Sequence, residues 1–166
     1  MKKYRVLDLF AGAGGLSLGF EMAGFEIAAA VDNMKEACYT FQRNHPRTMV
    51  FNDDIQKLRV EEVEKLIGKV DIVLGGPPCQ GLSLAGKRIM KDPRNELFLD
   101  FVRFVEYFKP SVFVMENVPG LLSMNNGAIN KAVLESFSDI TYHFNNSNPV
   151  LLLSSYNRTR SQIIET

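Results

Sequence analysis

The sequence lacks long hydrophobic runs and an excess of either charge, and it has only two cysteines in 166 residues. No apolar stretch approaches the roughly 20 residues that a membrane-spanning helix needs. Residues 1–5 lead into a strand pattern without the apolar region of a signal peptide. These absences favour a cytoplasmic protein with no membrane partner. The formal net charge of zero removes the simplest argument for nucleic-acid binding, an overall basic balance, but leaves room for a local basic patch.

The alternation of apolar runs and amphipathic segments indicates the fold class. A chain of this length can bury the core of one domain, and we find no internal repeat or linker. Strands that look buried alternate with helices, which predicts an α/β fold with a doubly wound, mostly parallel sheet of the Rossmann-like type. The helical spacing within residues 60–68 places Val63, Leu66 and Ile67 inward. The predicted strands are 5–10, 26–31, 49–51, 70–74 and 111–115, with weaker ones at 142–144, 150–153 and 161–164, and the predicted helices are 16–23, 34–44, 60–68, 95–108 and 128–137.

A glycine-rich turn follows the first predicted strand, with the sequence FAGAGG at residues 10–15. In parallel sheets ligands bind beyond the carboxyl ends of the strands, where glycines let the backbone approach a ligand closely. Asp32 ends the second strand, where a carboxylate can accept both ribose hydroxyls of an adenosine. Asp54 follows the third strand and could accept a hydrogen bond from an adenine amino group. The alternative is a turn that only joins a strand to a helix.

Ser17 helps to distinguish a dinucleotide ligand from an adenosine ligand without phosphates. Ser17 stands where the dinucleotide-binding fingerprint would have its third glycine. A pyrophosphate is therefore less favoured than an adenosine ligand without phosphates, such as S-adenosylmethionine. Because acids end the next two strands as well, the nucleoside interpretation is favoured over a simple connecting turn.

The two cysteines lie in different settings. Cys38 lies on the inner side of a predicted helix and is expected to pack in the core. Cys79 lies in a loop of glycine, proline and small polar residues, GGPPCQGLS at residues 75–83, directly after a buried strand. A thiol there is poorly placed to fill a core and well placed to meet a ligand, so Cys79 is a candidate nucleophile. The alternative for Cys79 is an inert small residue. A disulfide with Cys38 is disfavoured in a reducing cytoplasm, and two cysteines alone do not make a zinc site.

Two features could assist the Cys79 thiol. Four basic residues lie within 87–94, and their field could favour the thiolate or hold a phosphate backbone, although a solvated loop is the simpler interpretation. Glu116 ends the fifth strand, where a partly desolvated carboxylate suits proton donation. Strands four and five should be neighbours, which would place Cys79 and Glu116 at one sheet edge. His45 and His143 are predicted to be ordinary surface or turn residues, which disfavours a cysteine–histidine hydrolase.

These motifs, in this order, resemble those of the DNA (cytosine-5)-methyltransferases, in wording most similar to bacterial modification enzymes. The similarity covers roughly residues 5–126 and includes DLFAGAGG at 8–15, GGPPCQGLS at 75–83, DPRNELF at 92–98 and ENV at 116–118. The resemblance implies that S-adenosylmethionine is the cofactor. It implies these cofactor-binding residues: Phe10, Ala11, Gly12, Ala13, Gly14, Gly15, Leu16, Asp32, Asn33, Asp54, Ile55, Pro78 and Leu97.

The resemblance also implies a mechanism. A cytosine is flipped out of the DNA duplex, Cys79 attacks C6 of its ring, Glu116 holds the N3 and N4 edge, and C5 takes the methyl group. In the family, arginines of a Gln-x-Arg-x-Arg element assist, and Arg158 and Arg160 match those arginines although the glutamine is missing. The resemblance implies that the following residues face the DNA: Gln80, Ser83, Lys87, Arg88 and Asn117.

The family continues beyond these motifs with a target-recognition domain, which is absent from residues 1–166. We therefore expect a truncated catalytic domain whose partners are double-stranded DNA, a second chain that carries the recognition domain, and a cognate restriction endonuclease. The alternative is a truncated remnant that binds S-adenosylmethionine without methylating DNA. A third interpretation, an NAD-dependent oxidoreductase, would explain the glycine turn but neither GGPPCQGLS nor ENV.

Overall fold

A computed structural model describes residues 3–78, 96–117, 150–155 and 162–164. Strands and helices alternate along the chain as the apolar pattern predicts. The strands are β1 (Arg5–Leu9), β2 (Glu26–Asp32), β3 (Met49–Asn52), β4 (Ile72–Gly75), β5 (Val112–Asn117), β6 (Val150–Ser155) and β7 (Gln162–Ile164). The helices are α1 (Gly15–Met22), α2 (Lys35–Asn44), α3 (Val60–Ile67) and α4 (Glu96–Phe108), and a short 3₁₀ turn spans Ile55–Lys57.

The strands form one seven-stranded sheet in the order β3-β2-β1-β4-β5-β6-β7. The first six strands are parallel, and β7 runs antiparallel to β6. This arrangement confirms the predicted α/β fold and the predicted pairing of β4 with β5. The strand order reverses between β1 and β4, which is where open α/β sheets form a crevice between the segments that leave the two strands. Ligands of open α/β sheets bind at such a switch point.

Both faces of the sheet are covered by helices. Helices α3 and α4 pack on one face, in a cluster that contains the fully buried Phe101 and Phe104. Helices α1 and α2 pack on the other face, where Phe41 is 1% exposed. Phe98 is also buried, and Phe108 packs against the same cluster. The sheet is therefore doubly wound. Because helices cover both faces, a ligand can reach the sheet at the ends of its strands.

Two sequence predictions about burial are wrong. Leu66 is 62% exposed, whereas Val60, Val63 and Ile67 are buried, because at 100° per residue Leu66 lies about a quarter turn away from the centre of that face. His45 is 1% exposed rather than a surface residue.

The weaker strands predicted at 150–153 and 161–164 correspond to β6 and β7, whereas the predictions for 128–137 and 142–144 lie outside the described residues. No helix in the described ranges is both long and apolar enough to cross a membrane.

Candidate functional site at the switch point

The turn after β1 adopts an unusual backbone conformation. Phe10 has a φ of 59°, Gly12 a φ of 56° and Gly14 a φ of 91°. A left-handed conformation costs a residue with a side chain about 1–2 kcal/mol, so Phe10 is strained while the two glycines are not. The turn is held by hydrogen bonds from Ala11 N–H to Val31 O (3.1 Å) and from Gly14 N–H to Ala11 O (3.0 Å). Strain of this kind is concentrated at binding and catalytic sites.

Asp32 fastens this turn to the end of β2. Its Oδ2 accepts a hydrogen bond from Gly12 N–H, and its Oδ1 accepts one from Met34 N–H, both at 2.8 Å. The side chain is half-buried, and each carboxylate oxygen keeps a lone pair for a further donor. Two adjacent hydroxyls of a ribose would satisfy these lone pairs, so the geometry fits the predicted role of Asp32.

Asp54 lies on the 3₁₀ turn that follows β3, and α4 holds that turn. Asp54 Oδ1 accepts a hydrogen bond from Gln56 N–H (3.1 Å). The Arg103 guanidinium donates to Ile55 O (2.8 Å) and to Leu58 O (2.9 Å). Ile55 itself is 3% exposed and packs in the core, so its predicted contact with a cofactor would have to use its backbone. Asp54 is thus presented at the sheet edge from a turn that is fixed on both sides.

A buried polar group lies beneath the glycine turn. Asp8, in the middle of β1, is 1% exposed, and its Oδ2 accepts a hydrogen bond from the fully buried Ser17 Oγ (2.6 Å). Desolvation raises the pKa of Asp8 from 3.8 to about 6, although the hydrogen bond from Ser17 and the charge of His45 lower it. The signal for Asp8 was available in the sequence, because a carboxylate inside an apolar run of a buried strand requires a partner.

His45 belongs to the same region and was not predicted as part of it. Its Nδ1 lies 2.8 Å from Glu21 Oε2, and its Nε2 lies 3.2 Å from Gly14 O. The ring also packs against Phe41, with 4.3 Å between the ring centroids. A Cβ on Gly14 would lie 2.5 Å from His45 Nε2, so only glycine fits above the ring. In the sequence, His45 follows a helix and precedes Pro46, a position that is typical of an exposed turn. Its burial results from the packing of other elements around it.

The ends of β4 and β5 form the other side of the crevice. These strands pair with Gly75 opposite Met115, and a Cβ on Gly75 would lie 2.7 Å from Leu9 O. The carboxylate of Glu116 lies over the next residue, because a Cβ on Gly76 would be 3.2 Å from Glu116 Oε2. Glu116 is exposed, which corrects the prediction that its carboxylate is partly desolvated. An acid is therefore presented to solvent at the sheet edge.

The remaining predicted residues fall into two groups. Among the predicted cofactor residues, Pro78, Asn33 and Ala13 are exposed, while Leu16 and Leu97 are half-buried and pack against the core. Cys79 and the other predicted catalytic and DNA-facing residues, Gln80, Ser83, Lys87, Arg88, Arg158 and Arg160, lie outside the described residues, as does the side chain of Asn117.

Cys38 is buried at the inner side of α2, close to the backbone of Asp32. Cys38 is 6% exposed, and desolvation followed by the charge of Asp32 raises the pKa of its thiol. Its Sγ lies 3.3 Å from Asp32 O. The predicted core position of Cys38 is confirmed, and the thiol is a poor nucleophile. Across the described part of the chain, no three His, Cys, Asp or Glu side chains are grouped to hold a metal ion.

Comparison with known proteins agrees with this geometry. The sequence pattern of the family "C-5 cytosine-specific DNA methylase" matches residues 4–159. The chain belongs to this family. The matched residues include every described element from β1 to β6.

Similar proteins of known name are bacterial methyltransferases. Type II methyltransferase M.DdeI of Desulfomicrobium norvegicum is 46% identical over 140 residues, which are 82% of this chain and 34% of that protein. Type II methyltransferase M.AquIA of a Picosynechococcus species is 40% identical over 81% of this chain and 56% of its own length. The chain therefore spans about a third to a little over half of the length of these relatives.

Solved structures of the family share the fold. A protein encoded in an Escherichia coli prophage and described as a DNA modification methyltransferase superposes with a TM-score of 0.69 at 36% identity, over 82% of this chain and 38% of its own. The Dnmt2 methyltransferase of S. pombe superposes with a TM-score of 0.62 at 25% identity, over 80% of this chain and 42% of its own. These superpositions agree with the Rossmann-like architecture described above.

Proposed function

We propose that this chain carries the cofactor-binding and catalytic residues of an enzyme that transfers a methyl group from S-adenosylmethionine to C5 of cytosine in DNA. The observation that carries the proposal is the position of Glu116. Its carboxylate lies over Gly76, three residues before Cys79, at the same sheet edge as the turn fastened by Asp32. Glu116 near the end of β5, the segment that leads from β4 towards Cys79, and Asp32 at the end of β2 thus lie along one edge of the sheet.

The described residues suit an adenosine cofactor. Asp32 has lone pairs for two hydroxyl donors, and Asp54 has a second carboxylate oxygen to which no other described residue donates. A Cβ on Gly12 would meet no atom within 4 Å, so the turn faces open space in which the cofactor could lie. When bound, S-adenosylmethionine would supply an electrophilic methyl group.

The chain's own groups account for the rest of the reaction. The Cys79 thiolate would add to C6 of a flipped cytosine, which makes C5 nucleophilic because the ring loses its aromaticity. Glu116 would donate to N3 and accept from the N4 amino group, which stabilises the electron-rich ring. After C5 has gained the methyl group, a base removes the C5 proton, the electron pair restores the double bond, and the thiolate leaves.

DNA recognition would involve residues outside the described ranges. We place Gln80, Ser83, Lys87, Arg88 and Asn117 on the DNA side, and Arg158 and Arg160 near the base. Specific readout of bases requires contacts in the grooves, and this chain spans only part of its relatives' length. A second chain that carries a recognition domain, together with a cognate restriction endonuclease, is part of the proposal.

A covalent trap tests the proposal. The protein is mixed with S-adenosylmethionine and duplex DNA that contains 5-fluorocytosine, whose fluorine cannot be removed as a proton would be. We expect a stable adduct at Cys79, found by mass spectrometry, and no adduct with Cys79→Ala. Cys79→Ala should still bind S-adenosylmethionine. An adduct that forms only after a candidate partner chain is added would identify a split enzyme, and no adduct in either case would favour a remnant that binds the cofactor alone.

A further inference from the structure

His45 lies between two helices and directly beneath the glycine turn. It follows the last residue of α2, and its ring is 1% exposed. Its Nδ1 faces Glu21 Oε2 of α1 at 2.8 Å, and its Nε2 faces the carbonyl oxygen of Gly14 at 3.2 Å. The function proposed above assigns no role to this buried, titratable side chain.

Both atoms that face the ring are hydrogen-bond acceptors. A carbonyl oxygen cannot donate, an ionised carboxylate cannot donate either, and a neutral imidazole carries only one N–H. The ring therefore donates to Glu21 and to Gly14 together only as the doubly protonated imidazolium. Glu21 contacts the ring from α1, and the charge of His45 acts on the buried Asp8 of β1.

The contact with Gly14 bears on the cofactor turn. Gly14 has a φ of 91° and is the N-cap of α1, and its carbonyl also accepts a hydrogen bond from Leu18 N–H (2.9 Å). If the bond from His45 is lost, the Leu18 bond still holds the start of the helix. The residues before Gly14, which include Gly12 on Asp32, would then lose the support beneath them while the fold remains.

We propose that His45 is a positioning residue whose ring donates a hydrogen bond to the Gly14 carbonyl and thereby holds the glycine turn, so that cofactor affinity falls when this hydrogen bond is removed. The proposal relies on the proposed function only in naming S-adenosylmethionine as the ligand of the turn. It assigns to His45 no contact with the cofactor and no step of the reaction.

Two substitutions separate the two ring contacts. In His45→Gln the side-chain amide nitrogen reaches about as far as Nε2 and can donate to Gly14 O, but not to Glu21. In His45→Asn the amide nitrogen reaches about as far as Nδ1 and can donate to Glu21, but not to Gly14. Both variants lack a titrating ring and leave one partner unbonded. A merely structural role of His45 would therefore affect both variants similarly.

Calorimetry of S-adenosylmethionine binding at one fixed pH, with thermal unfolding as a check of the fold, distinguishes the variants. We expect His45→Asn to bind about tenfold more weakly than the wild type, the effect of one lost hydrogen bond, and His45→Gln within about threefold.

Nitrogen NMR of the free protein tests the ring without any ligand. We expect both ring nitrogens of His45 to carry a proton at pH 6, because each faces an acceptor, and the Gly14 and Gly15 amide signals to be displaced further in His45→Asn than in His45→Gln. Equal affinities of His45→Asn and His45→Gln, or a ring whose Nε2 carries no proton at pH 6, would overturn the proposal. A wild type that binds no S-adenosylmethionine would overturn the proposed function, while the ring and amide signals would still decide the role of His45.

Discussion

The two sides of the crevice are built differently. On the β1 side, the turn and Asp32 are held by hydrogen bonds from within the protein, above the buried Asp8, Ser17 and His45. On the β4 and β5 side, Glu116 is exposed, and no other described residue donates a hydrogen bond to its carboxylate. On the β1 side, the polar groups form internal hydrogen bonds that fix the turn. On the β4 and β5 side, the carboxylate of Glu116 is left accessible to a ligand.

This difference separates binding from chemistry. A turn that must match a cofactor gains from being rigid before the cofactor arrives, because less entropy is lost on binding. A carboxylate that must contact the cytosine ring in the transition state has to be free of strong internal hydrogen bonds. Substitutions on the β1 side should therefore change stability or cofactor affinity, and substitutions on the other side should change rate alone.

The largest expected effect tests the exposed side. Glu116→Gln keeps the size of the side chain but prevents it from acting as an acid, so we expect the methylation rate to fall about 10²–10⁴-fold. Because Glu116 is exposed, the free energy of unfolding should change by less than about 0.5 kcal/mol. The rate is measured with tritiated S-adenosylmethionine, together with any partner chain the enzyme needs. A near-normal rate would remove Glu116 from the mechanism.

The next effect tests the rigid turn through its glycines. Gly14→Ala introduces a Cβ at a φ of 91° and 2.5 Å from His45 Nε2, so we expect a loss of about 2–5 kcal/mol of unfolding free energy. Gly15→Ala is the matched control, because Gly15 begins α1 and a Cβ there meets no atom within 4 Å. Urea denaturation measures both. Equal stability of the two variants would show that the turn tolerates side chains.

Asp8 makes stability depend on pH. The unfolded chain releases the Asp8 proton near pH 3.8, whereas the folded protein keeps it until about pH 6, so ionisation opposes folding as the pH rises. Asp8 should therefore lower the free energy of unfolding by about 2 kcal/mol between pH 4 and pH 6.5, with little change above. The measurement compares wild type with Asp8→Asn, which does not titrate, by urea denaturation across this range. A constant difference between the two proteins would contradict the prediction.

The last effect concerns Asp32, the acid that we propose binds the ribose. Asp32→Asn keeps one carbonyl oxygen for Gly12 N–H but removes the charge and one acceptor, so we expect S-adenosylmethionine to bind about 10–100-fold more weakly. Equilibrium calorimetry measures the affinity. Asp53→Asn serves as a control, because Asp53 is exposed and its Oδ1 accepts only from Asp54 N–H among the described residues. If both variants bind equally, Asp32 does not contact the cofactor.

The sequence determined the elements and the edge of the sheet at which the candidate site lies. Apolar runs and helical spacing are local, so β1, β4 and α4 could be predicted within one or two residues of their bounds. The glycine turn could be predicted because glycine itself allows the left-handed backbone conformation. Asp32 could be predicted because its charge and its position after a strand are visible in the sequence. Glu116 could be placed at the end of β5 for the same reason, but its exposure could not.

Only the tertiary structure decided what lies beneath the turn. His45 contacts Gly14 across 31 residues, and Arg103 contacts Ile55 across 48. A polar side chain can be buried only where partners satisfy it, and these partners come from other elements of the fold. No local pattern distinguishes a buried His45 from an exposed one, because its burial depends on how α1, α2 and β1 meet.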